Sequence, residues 1–224
     1  IIMVKWSLTA YSLALVSLHL GNCTQGTWGF AALNAKAFSS EESTKAVNLS
    51  LWLVPPTPIC NILQDEIKQL SRFGRTGPVF SPHITVIGGI ICQSEAGVMD
   101  VANILESGLA GFGKIPCSMS SLPSSMNTWN QALYLTVDLS AELLHLCRRS
   151  RALLGMEIEH WTFPAPAKCP HLSLYYGVDN IPDKSEVVIS TSPFYAYSVA
   201  LWCTDPSSLE GVTQWREVRR FNID

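Results

Sequence analysis

Two five-residue segments of this chain place an imidazole and a hydroxyl two positions apart: Pro82-His83-Ile84-Thr85-Val86 and Pro170-His171-Leu172-Ser173-Leu174. Both read Pro-His-aliphatic-hydroxyl-aliphatic. In an extended strand the side chains at i and i+2 share a face, so His83 lies beside Thr85 and His171 beside Ser173, with Ile84 and Leu172 on the opposite, apolar side. Imidazole has an ordinary pKa of about 6.5 and therefore takes or gives a proton near neutrality. Two imidazoles facing one phosphate can divide that work. The neutral ring accepts a proton from water, the charged ring protonates the departing oxygen, and the two hydroxyls donate hydrogen bonds to the non-bridging oxygens. Such a site calls for no metal ion, and no cofactor is expected.

A single His-x-Ser/Thr triplet carries little information, because His160-Trp161-Thr162 also fits it. That copy lacks the preceding proline, follows the acidic Glu157-Ile158-Glu159 and runs into Pro164-Ala165-Pro166. It is set aside. The plain alternative for His83 and His171 is a pair of half-buried strand histidines with satisfied hydrogen bonds. Against it stands the full five-residue pattern, which occurs twice and in equivalent places of two similar halves.

The elements that must position these residues follow from periodicity. In the first half, Asn48 to Val54 alternates as a strand and stops at Pro55-Pro56. Thr57 then reads as an N-cap with Pro58 at the first helical position, and Ile59, Ile62, Leu63, Ile67, Leu70 and Phe73 follow at helical spacing up to Gly74. A buried strand is expected from His83 to Cys92. A second helix over 98–112 and a strand from Lys114 to Met119 complete this half. The turn-rich stretch Ser120 to Asn130 connects the halves. The second half repeats the order: a strand from Gln131 to Leu139, a helix capped by Ser140 and running to Leu154-Gly155, a proline-rich break, and a strand from His171 to Tyr176. Strands at Phe194–Cys203 and Trp215–Phe221 finish an α+β protein with two antiparallel sheets.

Bulk properties narrow the function classes. The 224 residues suit one domain, and 47% hydrophobic against 15% charged residues argues for a packed core. With a net charge of −3 the basic field that a long nucleic acid requires is missing. Seven dispersed cysteines without a Cys-x-x-Cys pair speak against a zinc site and suit reduced thiols in the cytoplasm. Residues 1–46 read as a leader, either signal-like after Met3 and Lys5 or a misassigned start. A real signal there would direct the chain to the secretory pathway or Golgi. The stretch is too interrupted by polar residues for a membrane span. Residues 47–224 form the single functional domain.

The paired motifs resemble the two-histidine phosphoesterase superfamily. Within it, Ser50-Leu51-Trp52-Leu53-Val54-Pro55-Pro56 together with Pro82-His83-Ile84-Thr85-Val86 is similar to the fungal and plant cyclic phosphodiesterases. The resemblance covers residues 47–223. It implies a bilobal, pseudo-twofold arrangement of two antiparallel sheets flanked by helices, with the active site in the central cleft. It also implies hydrolysis of nucleoside 2′,3′-cyclic phosphates to 2′-phosphates and of ADP-ribose 1″,2″-cyclic phosphate, a by-product of tRNA splicing. Carried over by position, His83 and His171 are the catalytic pair and Thr85 and Ser173 bind the phosphate. Trp52 and Tyr176 occupy the places that line the cleft for base or sugar, although core packing explains Trp52 equally well. The analogy makes His171 the base and His83 the acid. The expected partner is a small cyclic phosphate and the expected state a monomer. Competing readings are an RNA end-processing phosphodiesterase or 2′-5′ ligase-like enzyme, a non-catalytic nucleotide-binding module, and a zinc hydrolase.

Overall fold

Alternation in the first strand, β1 (Val47–Val54), sorts its side chains onto two faces. Leu49, Leu51 and Leu53 are fully buried in the main core, whereas Asn48, Ser50 and Trp52 line a cavity on the other side. The same division organises the whole sheet. The computed structural model describes residues 46–224 apart from 75–76, 160, 164–168, 188, 190 and 191.

The order continues with α1 (Thr57–Gly74), β2 (Ile84–Cys92), α2 (Glu95–Leu109), β3 (Ile115–Cys117), β4 (Leu133–Thr136), α3 (Ala141–Leu153), β5 (His171–Tyr175), β6 (Phe194–Ala196), β7 (Ser198–Cys203) and β8 (Arg216–Asn222). Short 3₁₀ turns lie at Trp129–Gln131, Lys184–Glu186 and Glu210–Gln214. A six-stranded antiparallel sheet runs β4-β5-β2-β1-β7-β8, and β3 pairs with β6 in a second sheet. The α+β class and the two antiparallel sheets are as the sequence indicates.

The internal repeat is visible in the strand order. Each half contributes a strand, a helix and a motif strand, and the segment β4-β5-β2-β1 places outer, motif, motif and outer strands symmetrically about one line. The helices cross that line: α1 packs against β5 and α3 against β2. Each helix thus seals the partner half's motif strand, and the leucines of both halves merge in one core. Neither half can be removed without opening the other.

Ser140 caps α3 as expected, its hydroxyl accepting from the Leu143 amide at 3.1 Å, and Gly155 closes the helix with φ at +65°. Elsewhere the structure corrects the boundaries. Helix α2 begins at Glu95 because Ser94 caps it, accepting from the Gly97 amide at 3.2 Å. The run Phe194–Cys203 is two strands in different sheets, parted at Tyr197. Gln131 is not in a strand: it ends a 3₁₀ turn, and β4 starts two residues later.

Candidate active site

The two motif strands meet at one registered pair, Ile84 opposite Leu172. Residues flanking a registered antiparallel pair face each other crosswise, so His83 stands across from Ser173 and Thr85 across from His171. Ile84 and Leu172 are fully buried in the core. The four polar side chains emerge together on the opposite face and line one cavity of about 690 Å³, within the usual size range of small-molecule sites. One strand pairing between two copies of a motif therefore brings all four together.

Both imidazoles are wired alike. His83 Nδ1 donates to the Ser81 carbonyl at 2.7 Å and His171 Nδ1 to the Cys169 carbonyl at 3.2 Å, two residues upstream in each case. A neutral imidazole carries one N–H, so both rings are held in the tautomer whose Nε2 bears the lone pair. Loss of water lowers both pKa values. His83, 5% exposed, is pushed down to about 4 by burial, against the pull of the Ser81 carbonyl and with a further push from the charge of His171. Burial lowers His171 as well, opposed by the Cys169 carbonyl.

The surroundings of the two rings differ. Trp52 lies parallel to His83, with centroids 3.5 Å apart and an interplanar angle of 5°. Its indole also stacks on Trp202 at 4.4 Å. Because β1 lies between β2 and β7, His83 and Trp202 cover opposite faces of this ring. Trp52 lines the cavity, but both its faces are taken. Tyr176 reaches the cavity because β5 ends at Tyr175 and the chain turns at Gly177. A Cβ at 177 would lie 2.7 Å from the Tyr175 ring, so only glycine lets the turn pass that close. Tyr176 then stacks on Phe80 at 3.9 Å and meets the rings of Trp129 and Trp215 at steep angles. Burial raises its hydroxyl pKa.

Sequence reasoning missed the 3₁₀ turn Trp129–Gln131, which supplies part of the wall. The Trp129 carbonyl accepts from the Gly177 amide at 2.9 Å and the Asn130 carbonyl from the Ser173 hydroxyl at 3.1 Å. The Gln131 amide nitrogen lies 3.2 Å from His171 Nε2. Its signal was a tryptophan and two amides at the exit of a turn-rich connection. Trp215 went unnoticed in the same way. Further along the wall, Ser50, Thr85 and Thr204 add hydroxyls, and Arg151 adds a cation set over the Trp161 ring at 5.1 Å. No carboxylate is among the described lining residues, so the cavity favours an anion even though the chain is net acidic. His160 lies outside the described residues. Among the described residues, no cluster of three or more His, Cys, Asp or Glu could hold a metal ion, and no helix is long and apolar enough to cross a membrane. The six described cysteines are free thiols.

The two copies of the motif thus put two imidazoles and two hydroxyls on one face of a shared sheet. Residues 47–193 match the family model for cyclic phosphodiesterase-like proteins. The chain belongs to that family, within the two-histidine phosphoesterase superfamily. Among solved structures it is similar in fold to TT0787 of Thermus thermophilus, with a TM-score of 0.53, 15% identity, and coverage of 79% of this chain and 97% of the other. Weaker similarities are to E. coli LigT complexed with 3′-AMP (TM-score 0.44, 14% identity, 80% and 99% covered) and to Kluyveromyces marxianus Usb1 (TM-score 0.38, 9% identity, 78% and 98% covered). Among curated protein sequences none matches.

Proposed function

We propose that this protein hydrolyses nucleoside 2′,3′-cyclic phosphates to 2′-phosphates, and ADP-ribose 1″,2″-cyclic phosphate likewise, with His83 and His171 as acid and base and no metal ion in the chemistry. The observation that carries this reading is the pair of imidazoles on one cavity, each bonded through Nδ1 to its own backbone, so that Nε2 is the nitrogen left for proton exchange. With both Nδ1 protons held in place, Nε2 is the atom that can exchange a proton with substrate.

A water molecule gives one proton to Nε2 of neutral His171 as its oxygen bonds to phosphorus. The bond from phosphorus to the 3′ oxygen breaks, and that oxygen takes the proton from Nε2 of charged His83. The product is a 2′-phosphate. The turnover leaves His171 charged and His83 neutral, and proton exchange with solvent restores both rings. Thr85 and Ser173 donate to the non-bridging oxygens, where charge concentrates in the transition state. Ser173 gives up its bond to the Asn130 carbonyl to do so. Trp52 acts through His83: an indole face at 3.5 Å favours the charged over the neutral ring. Stacking of a base falls to the half-buried rings of Trp129 and Trp215, with Tyr176 behind them.

The test is product analysis. Purified protein in excess chelator is incubated with 2′,3′-cyclic AMP and followed by phosphorus NMR, and the 2′-phosphate is expected as the sole product. Inertness at every pH between 5 and 8, or a 3′-phosphate, overturns the assignment.

A further inference from the structure

The repeated motif makes the two imidazoles equivalent, yet Gln131 touches only one of them. Its side chain is 5% exposed, its amide nitrogen is 3.2 Å from His171 Nε2, and its amide oxygen is buried without a hydrogen-bond partner. A buried carbonyl oxygen left unpaired is costly, so in a folded site it awaits a donor. The carbonyl of Cys169 claims the single proton of neutral His171 at Nδ1. The Nε2 lone pair can therefore only accept, and the amide NH2 is the group it accepts from. Once Nε2 carries a proton the requirement inverts: the ring must donate, and the unpaired oxygen of the same amide is the acceptor at hand.

We infer that Gln131 is a positioning residue for His171, donating its amide NH2 to Nε2 of the neutral ring and turning by half a rotation to accept from Nε2–H of the protonated ring. The amide holds the lone pair in the empty site, yields it to the attacking water, and turns its oxygen to the new Nε2–H, so neither form of the ring is stranded in the wall. The rigid mounting of the residue fits this role. Gln131 closes the 3₁₀ turn, whose Asn130 carbonyl is tied to Ser173 within the histidine strand and whose Trp129 carbonyl is tied to Gly177 just past its end. Among the described residues no side-chain amide plays this part for His83, whose ring leans on Trp52 instead. The inference rests on the acid and base roles proposed above, but it makes a separate statement about the ring.

The experiment is nitrogen-detected NMR of the histidine side chains in the ligand-free full chain, for wild type, Gln131→Glu and Gln131→Met, alongside pH–rate profiles with 2′,3′-cyclic AMP. Among the described residues, Tyr134 meets the edge of the His171 ring, and the other titratable groups lining its cavity are His83, Cys169, Arg151 and Tyr176. All are retained in both variants. In wild type, His171 is expected as the Nδ1–H tautomer. Gln131→Glu presents only acceptors, so it should raise the His171 midpoint by about one pH unit or more and move the matching limb of the pH–rate profile with it, leaving His83 nearly unchanged. Gln131→Met keeps the volume and removes both polar atoms. It should lower kcat roughly tenfold with little change in KM, while the Cys169 carbonyl keeps the Nδ1–H tautomer. An unchanged His171 midpoint in Gln131→Glu, or an unchanged kcat in Gln131→Met, overturns the inference. The NMR arm needs no turnover, so a protein inert towards cyclic phosphates whose His171 still responds to residue 131 sinks the reaction and keeps the positioning role.

Discussion

The two motif halves share a five-residue pattern, a tautomer and a strand pairing, and they differ in everything that touches the rings from outside. His83 is mounted on the flat face of Trp52, itself backed by Trp202, in the middle of the six-stranded sheet. His171 sits at the start of a short strand, with the edge of Tyr134 and the amide of Gln131 as neighbours. An aromatic face stabilises a cation, whereas a donor amide aimed at Nε2 stabilises the neutral ring. The repeat supplies two interchangeable imidazoles, and residues outside the repeat tell them apart. Burial nonetheless holds back the charge on His83, whose pKa stands at about 4 in the empty site, so the proposed acid role relies on a bound anion to raise it.

The harshest way to break the comparison is to remove either ring. His83→Ala and His171→Ala should each lower turnover of 2′,3′-cyclic AMP by about two orders of magnitude or more, and the double variant should be little worse than either single one because the rings act as a unit. Steady-state kinetics on the three variants measures this. His160→Ala should be near wild type, and a crippled His160 variant would shift the site to the third His-x-Thr copy.

The next largest effect is on pH dependence. On the proposed roles, free enzyme is productive only with His171 neutral and His83 charged. Because burial lowers both pKa values, with His83 down to about 4, the charged fraction of His83 falls about tenfold for each pH unit above that value. kcat/KM, which reports the free enzyme, should therefore peak below pH 6.5, between the two lowered values. A bound cyclic phosphate places an anion beside both rings and raises both, so kcat should peak at higher pH. Profiles of the two constants over pH 4 to 8 test the sign. A kcat/KM optimum on the alkaline side of the kcat optimum contradicts the electrostatic picture of the empty site.

What was legible in the sequence was whatever a segment declares by itself. The alternation of Asn48, Ser50 and Trp52 with three leucines gave β1 and its two faces, Ser140 gave the start of α3, and the doubled Pro-His pattern gave both catalytic candidates and the symmetry of the sheet. What stayed hidden depends on packing between segments. Trp52 was legible as a cleft residue, but that its faces are filled by His83 and Trp202 follows from neighbours on two other strands. The turn Trp129–Gln131 has no period to detect, and alternation carried the expected strand back through Gln131. Only its docking against β5 shows that these residues belong to the site. The break at Tyr197 was invisible for a similar reason: both pieces have strand composition, and only their different sheet partners separate them.

A milder variant sharpens the contrast between the two mountings. Trp52→Phe keeps a ring beside His83 but weakens the cation-binding face and leaves a void in a buried position, 2% exposed. A loss of about tenfold in kcat is expected, with the acidic optimum of kcat/KM displaced further down because the charged ring loses support. Differential scanning calorimetry should show a lower Tm from the lost packing. Tyr134→Phe, which keeps the ring that meets the edge of His171 and removes only its hydroxyl, should leave the kcat/KM profile where it was.

The smallest effects belong to the two hydroxyls, and here the halves should again part. Thr85 and Ser173 each offer one neutral donor to a phosphate that has others, so Thr85→Ala and Ser173→Ala should cost about tenfold or less in kcat/KM. Ser173 also holds the Asn130 carbonyl at 3.1 Å and, through it, the turn that carries Gln131. Its replacement frees that carbonyl and loosens the mounting of the amide beside His171. Ser173→Ala should therefore move the pH–rate limb that belongs to His171, whereas Thr85→Ala should lower the profile uniformly. Ser173→Thr should restore the limb if its hydroxyl can still reach Asn130. Equal, pH-independent losses in the two alanine variants would mean that Ser173 does no more than Thr85, and that the turn keeps its place without it.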